Sequence, residues 1–224
     1  MHRTYRIMIL LIFLCSLLNS CNIRSSKMPE GNIEVDSEIY IIPVGDVDEK
    51  YLAPLIPKLE ERFTTKVHIA LDKRMPIPDY AYDYDRKQYV AMYIVTELNK
   101  MQVPGDGKIL GVTNVDLFLP ESDTQFVFGQ AIMNGKAALI STLRLDPNSY
   151  VNGKPDDELL IQRMEKEAVH ELGHVFGLDN VGDPKCVMYL PKVLREVDKK
   201  SDSFCEICLQ EFDAMEKEKR LKKQ

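Results

Sequence analysis

His170-Glu171-Leu172-Gly173-His174 is a five-residue segment whose side chains make chemical sense together only on a helix. There, positions i and i+4 are neighbours, with Cβ atoms about 5–6 Å apart, so both imidazoles leave one face. Such a pair suits two ligands of a tetrahedral zinc. Glu171 sits displaced around the helix, within reach of a water at an open coordination position. Zinc brings the pKa of that water toward ~7, and a carboxylate there can take its proton and later return it to a leaving amine. The flanks support the helix independently. Pro155 and the acids Asp156, Asp157 and Glu158 open it, as the helix dipole favours, and Gly177 stops it after Phe176. Met164, Ala168 and Leu172 give it an apolar face. The chain has 4 histidines, and two of them are in this motif.

The rest of the chain reads as strands and one further long helix before the motif. Glu38–Val44 is a β-branched apolar run that reads as a strand, and Thr65–Leu71 alternates as a second. Between them, Leu52, Leu55, Ile56 and Leu59 give Asp48–Phe63 a helical spacing, confined near its start by Pro54 and Pro57. Residues 72–85 read as a loop. Arg86–Met101 carries Tyr89, Val90, Tyr93, Ile94 and Leu98 on one side and is predicted as a backing helix. Three extended stretches follow, Lys108–Leu119, Phe126–Ala131 and Ala137–Leu143, the last two joined by the hairpin signal Asn134-Gly135. After the motif, Ser203 and Glu206 in capping-box spacing open a charged helix. The pattern predicts an α+β fold with a mixed sheet, a backing helix and a separate helix that carries the histidines.

The 224 residues carry a formal net charge of −6. An acidic chain without a basic stripe is a poor nucleic-acid binder, and none is expected as partner. Arg3 and Arg6 precede an apolar run, Ile7–Leu18, of about a dozen residues, short of the roughly 20 that cross a bilayer. The run ends at Leu18-Asn19-Ser20-Cys21, which resembles the lipobox of bacterial lipoproteins. The expectation is a lipoprotein signal peptide over residues 1–20, lipidation at Cys21, a polar tether over 21–36 and one domain over 37–224. Losing Arg3 and Arg6 with the signal would take the net charge from −6 to −8. The chain would then sit in the cell envelope on the extracytoplasmic side, periplasmic or at the outer membrane, joined to the membrane by its lipid. Cys15 would leave with the signal. Cys186, Cys205 and Cys208 would remain, an odd number that reads as a disulfide plus a free thiol or as a metal site.

These motifs resemble the archaemetzincin signature H-E-x-x-H-x-x-G-x-x-H-C-x4-C-x-M, followed after a spacer by C-x-x-C. His170, Glu171, His174, Gly177, Cys186, Met188, Cys205 and Cys208 match it, and the likeness extends over about residues 38–210. The resemblance implies a compact metzincin-like zincin domain with a small C-terminal subdomain and a Met-turn at Met188 beneath a catalytic zinc. It also implies a second, structural zinc held by four cysteines. Two positions depart from the signature: Asn180 stands at the third histidine and Val181 at the following cysteine. An amide oxygen is a weak zinc ligand beside imidazole or carboxylate. Asp179 can swing in as the third ligand, Asn180 or extra water can complete a weaker site, or zinc binding is lost. At the cysteines, a zinc with three protein ligands and a disulfide involving Cys186 both stay open.

The leading expectation is a zinc-dependent peptidase with a peptide or protein substrate and Glu171 as general base. The alternative is a catalytically inactive metzincin-fold binding protein at the cell surface. Two lesser readings accompany these: His68 as a core histidine inside its strand, and Tyr189 as a core residue or a stabiliser of the tetrahedral intermediate.

Overall fold

The computed structural model describes residues 31–222; the expected signal peptide, Cys21 and most of the expected tether lie outside them. Five strands form the main sheet: β1 (Ile39–Pro43), β2 (Val67–Ile69), β5 (Lys108–Thr113), β7 (Gly129–Ala131) and β8 (Ala137–Ser141), in the order β2-β1-β5-β8-β7. All neighbours are parallel except β7, which runs antiparallel to β8 at the edge. A second sheet of three short strands, β3 (Tyr82–Asp83), β4 (Gln88–Val90) and β6 (Leu117–Phe118), has the order β3-β4-β6. The architecture is the mixed α/β arrangement that the sequence pattern predicts.

Strand alternation sorts the core into two layers. Ile39, Ile41, Leu110, Val112, Ala138 and Ile140 face helices α1 (Leu55–Phe63) and α3 (Asp157–Val175). Tyr40, Ile42, Ile109, Ala137 and Leu139 face the opposite way, onto Ile94, Val95 and Leu98 of α2 (Ala91–Lys100). The helix α2 therefore backs the sheet, and the motif helix lies on the other side. Two C-terminal helices, α4 (Leu194–Lys199) and α5 (Glu206–Lys222), complete the α3 side.

Several boundaries differ from those predicted. Residues 31–35 belong to the domain and not to a tether: Ile33 is buried, its amide donates to Arg62 O, and Gly31 O accepts from Phe204 N. The backing helix begins at Ala91, because Gln88–Val90 pairs with β3 and β6 instead. Lys108–Leu119 is two strands in two different sheets. The capping box at Ser203 does not form; its hydroxyl donates to Asp202 and α5 starts at Glu206. His68 is exposed, bonded to Glu38 at 3.0 Å and stacked on Tyr40, and is not a core residue.

Candidate active site

Both ends of α3 are fixed by local chemistry. The Asp156 carboxylate accepts from Leu159 N at 2.9 Å, satisfying one of the free amides at the helix start. At the other end Gly177 takes φ +102°, a left-handed conformation that glycine adopts without penalty. The β7–β8 hairpin closes that end, since Asn134 N donates to His174 O at 3.0 Å. The Asn134-Gly135 turn thus both joins two strands and places β7 beside the motif.

The two histidines are held in matching ways. His170 Nδ1 donates to Val187 O at 2.9 Å, and His174 Nδ1 donates to Leu178 O at 2.7 Å. A carbonyl can only accept, so each ring carries its proton on Nδ1. Each Nε2 then presents a lone pair, and the two lie 3.2 Å apart. Burial lowers the pKa of both imidazoles, most strongly for His170, which keeps them neutral. Two neutral nitrogens facing each other with no proton between them repel unless a cation joins them. The donor set fits a zinc ion, with the backbone carbonyls fixing the tautomer of each ligand.

These side chains line a cleft of about 350 Å³. Glu171 is buried against it. Desolvation, with the nearby Glu167 second, raises its carboxyl well above the ordinary range. Gly129 of β7 lies directly over that carboxylate: a Cβ there would fall 2.7 Å from both Glu171 Cγ and Oε1. Asn180 and Asp179 are both exposed, but only Asn180 lines the cleft beside His174. Tyr189 does not line it either; its backbone bridges to Val181. The side chain of Met188 is buried and packs against Gly173, so its thioether lies against the motif helix.

One wall of the cleft is the edge of the main sheet. Phe128 O accepts from Ser141 N and Ile132 N donates to Ala137 O, so even-numbered residues of this strand bond to β8. The backbone groups of Gly129 and Ala131 consequently point to the open edge. Phe126 and Phe128 add aromatic surface on this side, and Leu190 and Pro191 border the cleft after Met188. Sequence reading did not find Glu167, which lines the cleft one turn before Glu171, or Lys200, whose ammonium lies 2.8 Å from it.

Cys186, Cys205 and Cys208 come together on the far side of the Met188 segment, with all three sulfurs within 4.8 Å of one another. Cys186 Sγ and Cys205 Sγ each lie 3.6 Å from Cys208 Sγ, and the amide of Cys205 donates to Cys186 Sγ at 3.2 Å. Those contacts, the Cys208 thiol first, lower the Cys186 thiol to about 6, while the same contact raises Cys208. Three sulfurs are one ligand short of a closed tetrahedral zinc site.

The model of peptidase family M54 matches residues 52–214. An archaemetzincin from Pyrococcus abyssi is 37% identical over 179 residues, covering 78% of this chain and 94% of that protein. Among solved structures, a zinc-dependent peptidase from Methanocorpusculum labreanum superimposes with a TM-score of 0.69 at 30% identity, covering 78% of this chain and 99% of that one. Archaemetzincin from Archaeoglobus fulgidus gives a TM-score of 0.64 at 32% identity, covering 77% and 98%.

Proposed function

This chain belongs to peptidase family M54, the archaemetzincins, and we propose that it hydrolyses peptide bonds in the cleft beside His170 and His174, with Glu171 as the general base. The observation that carries this reading is the converging Nε2 pair, 3.2 Å apart, in one cleft with a buried carboxylate. Zinc bound there supplies a Lewis acid that polarises the scissile carbonyl and brings the acidity of a water near neutrality. His170 and His174 hold the ion through Nε2, and Val187 O and Leu178 O keep both rings in the binding tautomer. Asn180, which lines the cleft beside them, is the third ligand through its amide oxygen, weaker than the imidazole of its relatives' signature. Glu171 accepts the proton of the attacking water and returns it to the leaving amine; its desolvated carboxylate is a stronger base than one in water. An extended substrate adds to the edge at Gly129 and Ala131 as an antiparallel strand, displacing the Gln130 amide that donates to Ala131 O at 2.8 Å. Phe126 and Phe128 favour apolar side chains near the scissile bond.

Two finer assignments accompany this. Cys186, Cys205 and Cys208 hold a second zinc that ties α5 to the Met188 segment. The N-terminal segment is a lipoprotein signal with lipidation at Cys21, which places the domain outside the cytoplasm. No helix of the described residues is long and apolar enough to cross a membrane.

Elemental analysis of the parent, His174→Ala, Glu171→Ala and Asn180→His proteins tests the site. Zinc in the parent and in Glu171→Ala, with one equivalent missing in His174→Ala, is the expected result. Glu171→Ala should also lose about 10²- to 10⁴-fold in peptide hydrolysis, the range that a general base supplies. A catalytic equivalent of zinc that appears only in Asn180→His would overturn the enzyme reading and favour a binding protein on a metzincin scaffold. A second equivalent lost from a Cys208→Ser variant marks the cysteine site.

A further inference from the structure

Under the cleft lies a buried ion pair that the proposed reaction does not use. The side chains of Lys200 and Glu167 are 0% and 2% exposed, and Nζ lies 2.8 Å from Oε1. Neither atom has a hydrogen-bond partner elsewhere among the described residues. Sequestering two charges adds little stability, because lost hydration offsets their attraction. Their position is more telling. Glu167 stands one turn before Glu171 on the same face of α3, and both carboxylates line the cleft with His170. Lys200 reaches Glu167 from just beyond α4. Lys166 Nζ donates to Val197 O at 3.1 Å and to Asp198 O at 2.9 Å, and Arg163 makes a two-pronged pair with Asp198 at 2.7 and 3.0 Å. These contacts between α3 and the end of α4 fix where the ammonium enters.

From this geometry we infer that Lys200 is a positioning residue for peptide hydrolysis: it holds the Glu167 carboxylate and keeps it from turning onto Glu171. Glu167 and Glu171 stand one turn apart on one face of α3 and both line the cleft, so their side chains can meet. A Glu167 side chain turned that way would occupy the space in which Glu171 meets the attacking water. The ammonium gives Glu167 a different partner, and Glu171 stays free. The inference rests on the reading of Glu171 as general base.

The test compares the zinc-loaded parent with Lys200→Met, Lys200→Arg and the double variant Glu167→Met/Lys200→Met. The probe is an internally quenched peptide with apolar residues around the scissile bond, and crystal structures accompany the kinetics. Lys200→Met should lose about 100-fold in kcat while KM stays within about twofold. Its structure should show a Glu167 oxygen within about 2.7 Å of Glu171. Lys200→Arg should recover most of kcat, because a cation still holds Glu167, and so should the double variant, where no hydrogen-bonding group remains to turn. A Lys200→Met protein that only melts earlier, with kcat intact or Glu167 unmoved, overturns the inference. If Lys200→Met does not fold, Lys200→Arg decides alone: Glu167 held with kcat kept supports it, and Glu167 held with kcat lost overturns it. A Glu171→Gln control separates the two readings. Hydrolysis surviving in that control removes the general base itself, whereas its loss alongside a fully active Lys200→Met removes only the role of Lys200.

Discussion

Gly129 and Glu171 show how much the site depends on single atoms. The edge strand passes so near the carboxylate that an added Cβ would lie 2.7 Å from Glu171 Cγ and Oε1 and equally near the backbone oxygen of Leu139. The side chain could swing aside, but the Leu139 oxygen belongs to β8 and cannot. Gly129→Ala therefore forces either the edge strand or the carboxylate out of place. Overpacking of this kind costs about 1–3 kcal/mol in stability. A catalytic group displaced by about 1 Å loses about 10²-fold in rate. The expected outcome is a folded, zinc-binding variant with strongly reduced kcat, read by kinetics beside urea denaturation. Full activity would mean that β7 moves without carrying Glu171 with it. The departure at Asn180 acts at the same scale. If zinc joins the two imidazoles with Asn180 as a weak third donor, Asn180→His should tighten zinc in competition with a chelator and leave the fold unchanged.

Among the elements, α1 and the C-terminal segment are tied by one carboxylate. Asp202 accepts from Lys58 Nζ at 2.8 Å, from Ser203 Oγ at 2.9 Å and from Arg62 at 3.2 Å. Burial alone would push this carboxyl up, but the hydrogen bonds and the two cations outweigh it, holding it at about 2 against an ordinary 3.8. A folded-state value below the unfolded one means that the unfolded chain binds the extra proton first. The stabilisation is therefore full above about pH 4 and is lost as pH falls toward about 2. Asp202→Asn should lower the urea midpoint of the zinc-free protein at pH 7, and the gap to the parent should close across that acid window. A gap that persists at the lowest pH would assign the effect to packing. Neither this tie nor the Lys200–Glu167 pair was legible beforehand. Nothing in Asp198-Lys199-Lys200-Ser201 marks one lysine as buried, and the six residues of α4 are too few for a periodic signal. The motif helix was legible because its caps, its apolar face and its histidine spacing all agree. The junction at Val90 was not, since Tyr89 and Val90 continue the apolar spacing of α2 and no side chain caps its start. Strands of two residues such as β3 and β6 carry no alternation to detect.

For the whole molecule, the point where the chain enters the domain sets its relation to a membrane. Gly31 is pinned by Phe204 N, next to the cysteine cluster, and Ile33 is already in the core. If Cys21 carries lipid, only Asn22–Glu30 separates it from the fixed domain. A fully extended chain of that length spans at most about 30 Å, so the domain would work within that distance of the bilayer. The substrates within reach would then be envelope proteins or peptides near the membrane surface. Two or more acyl chains give durable anchoring where one gives marginal binding. Cys21→Ser should therefore move the protein from the membrane fraction to the soluble fraction of a bacterial host and abolish labelling by a radioactive fatty acid. Zinc content and peptide hydrolysis should stay unchanged, because the cleft, Lys200 and the cysteine cluster all lie within residues 119–208. Membrane association that survives the substitution would assign the anchor to the apolar run at Ile7–Leu18 and leave the thiol of Cys21 free.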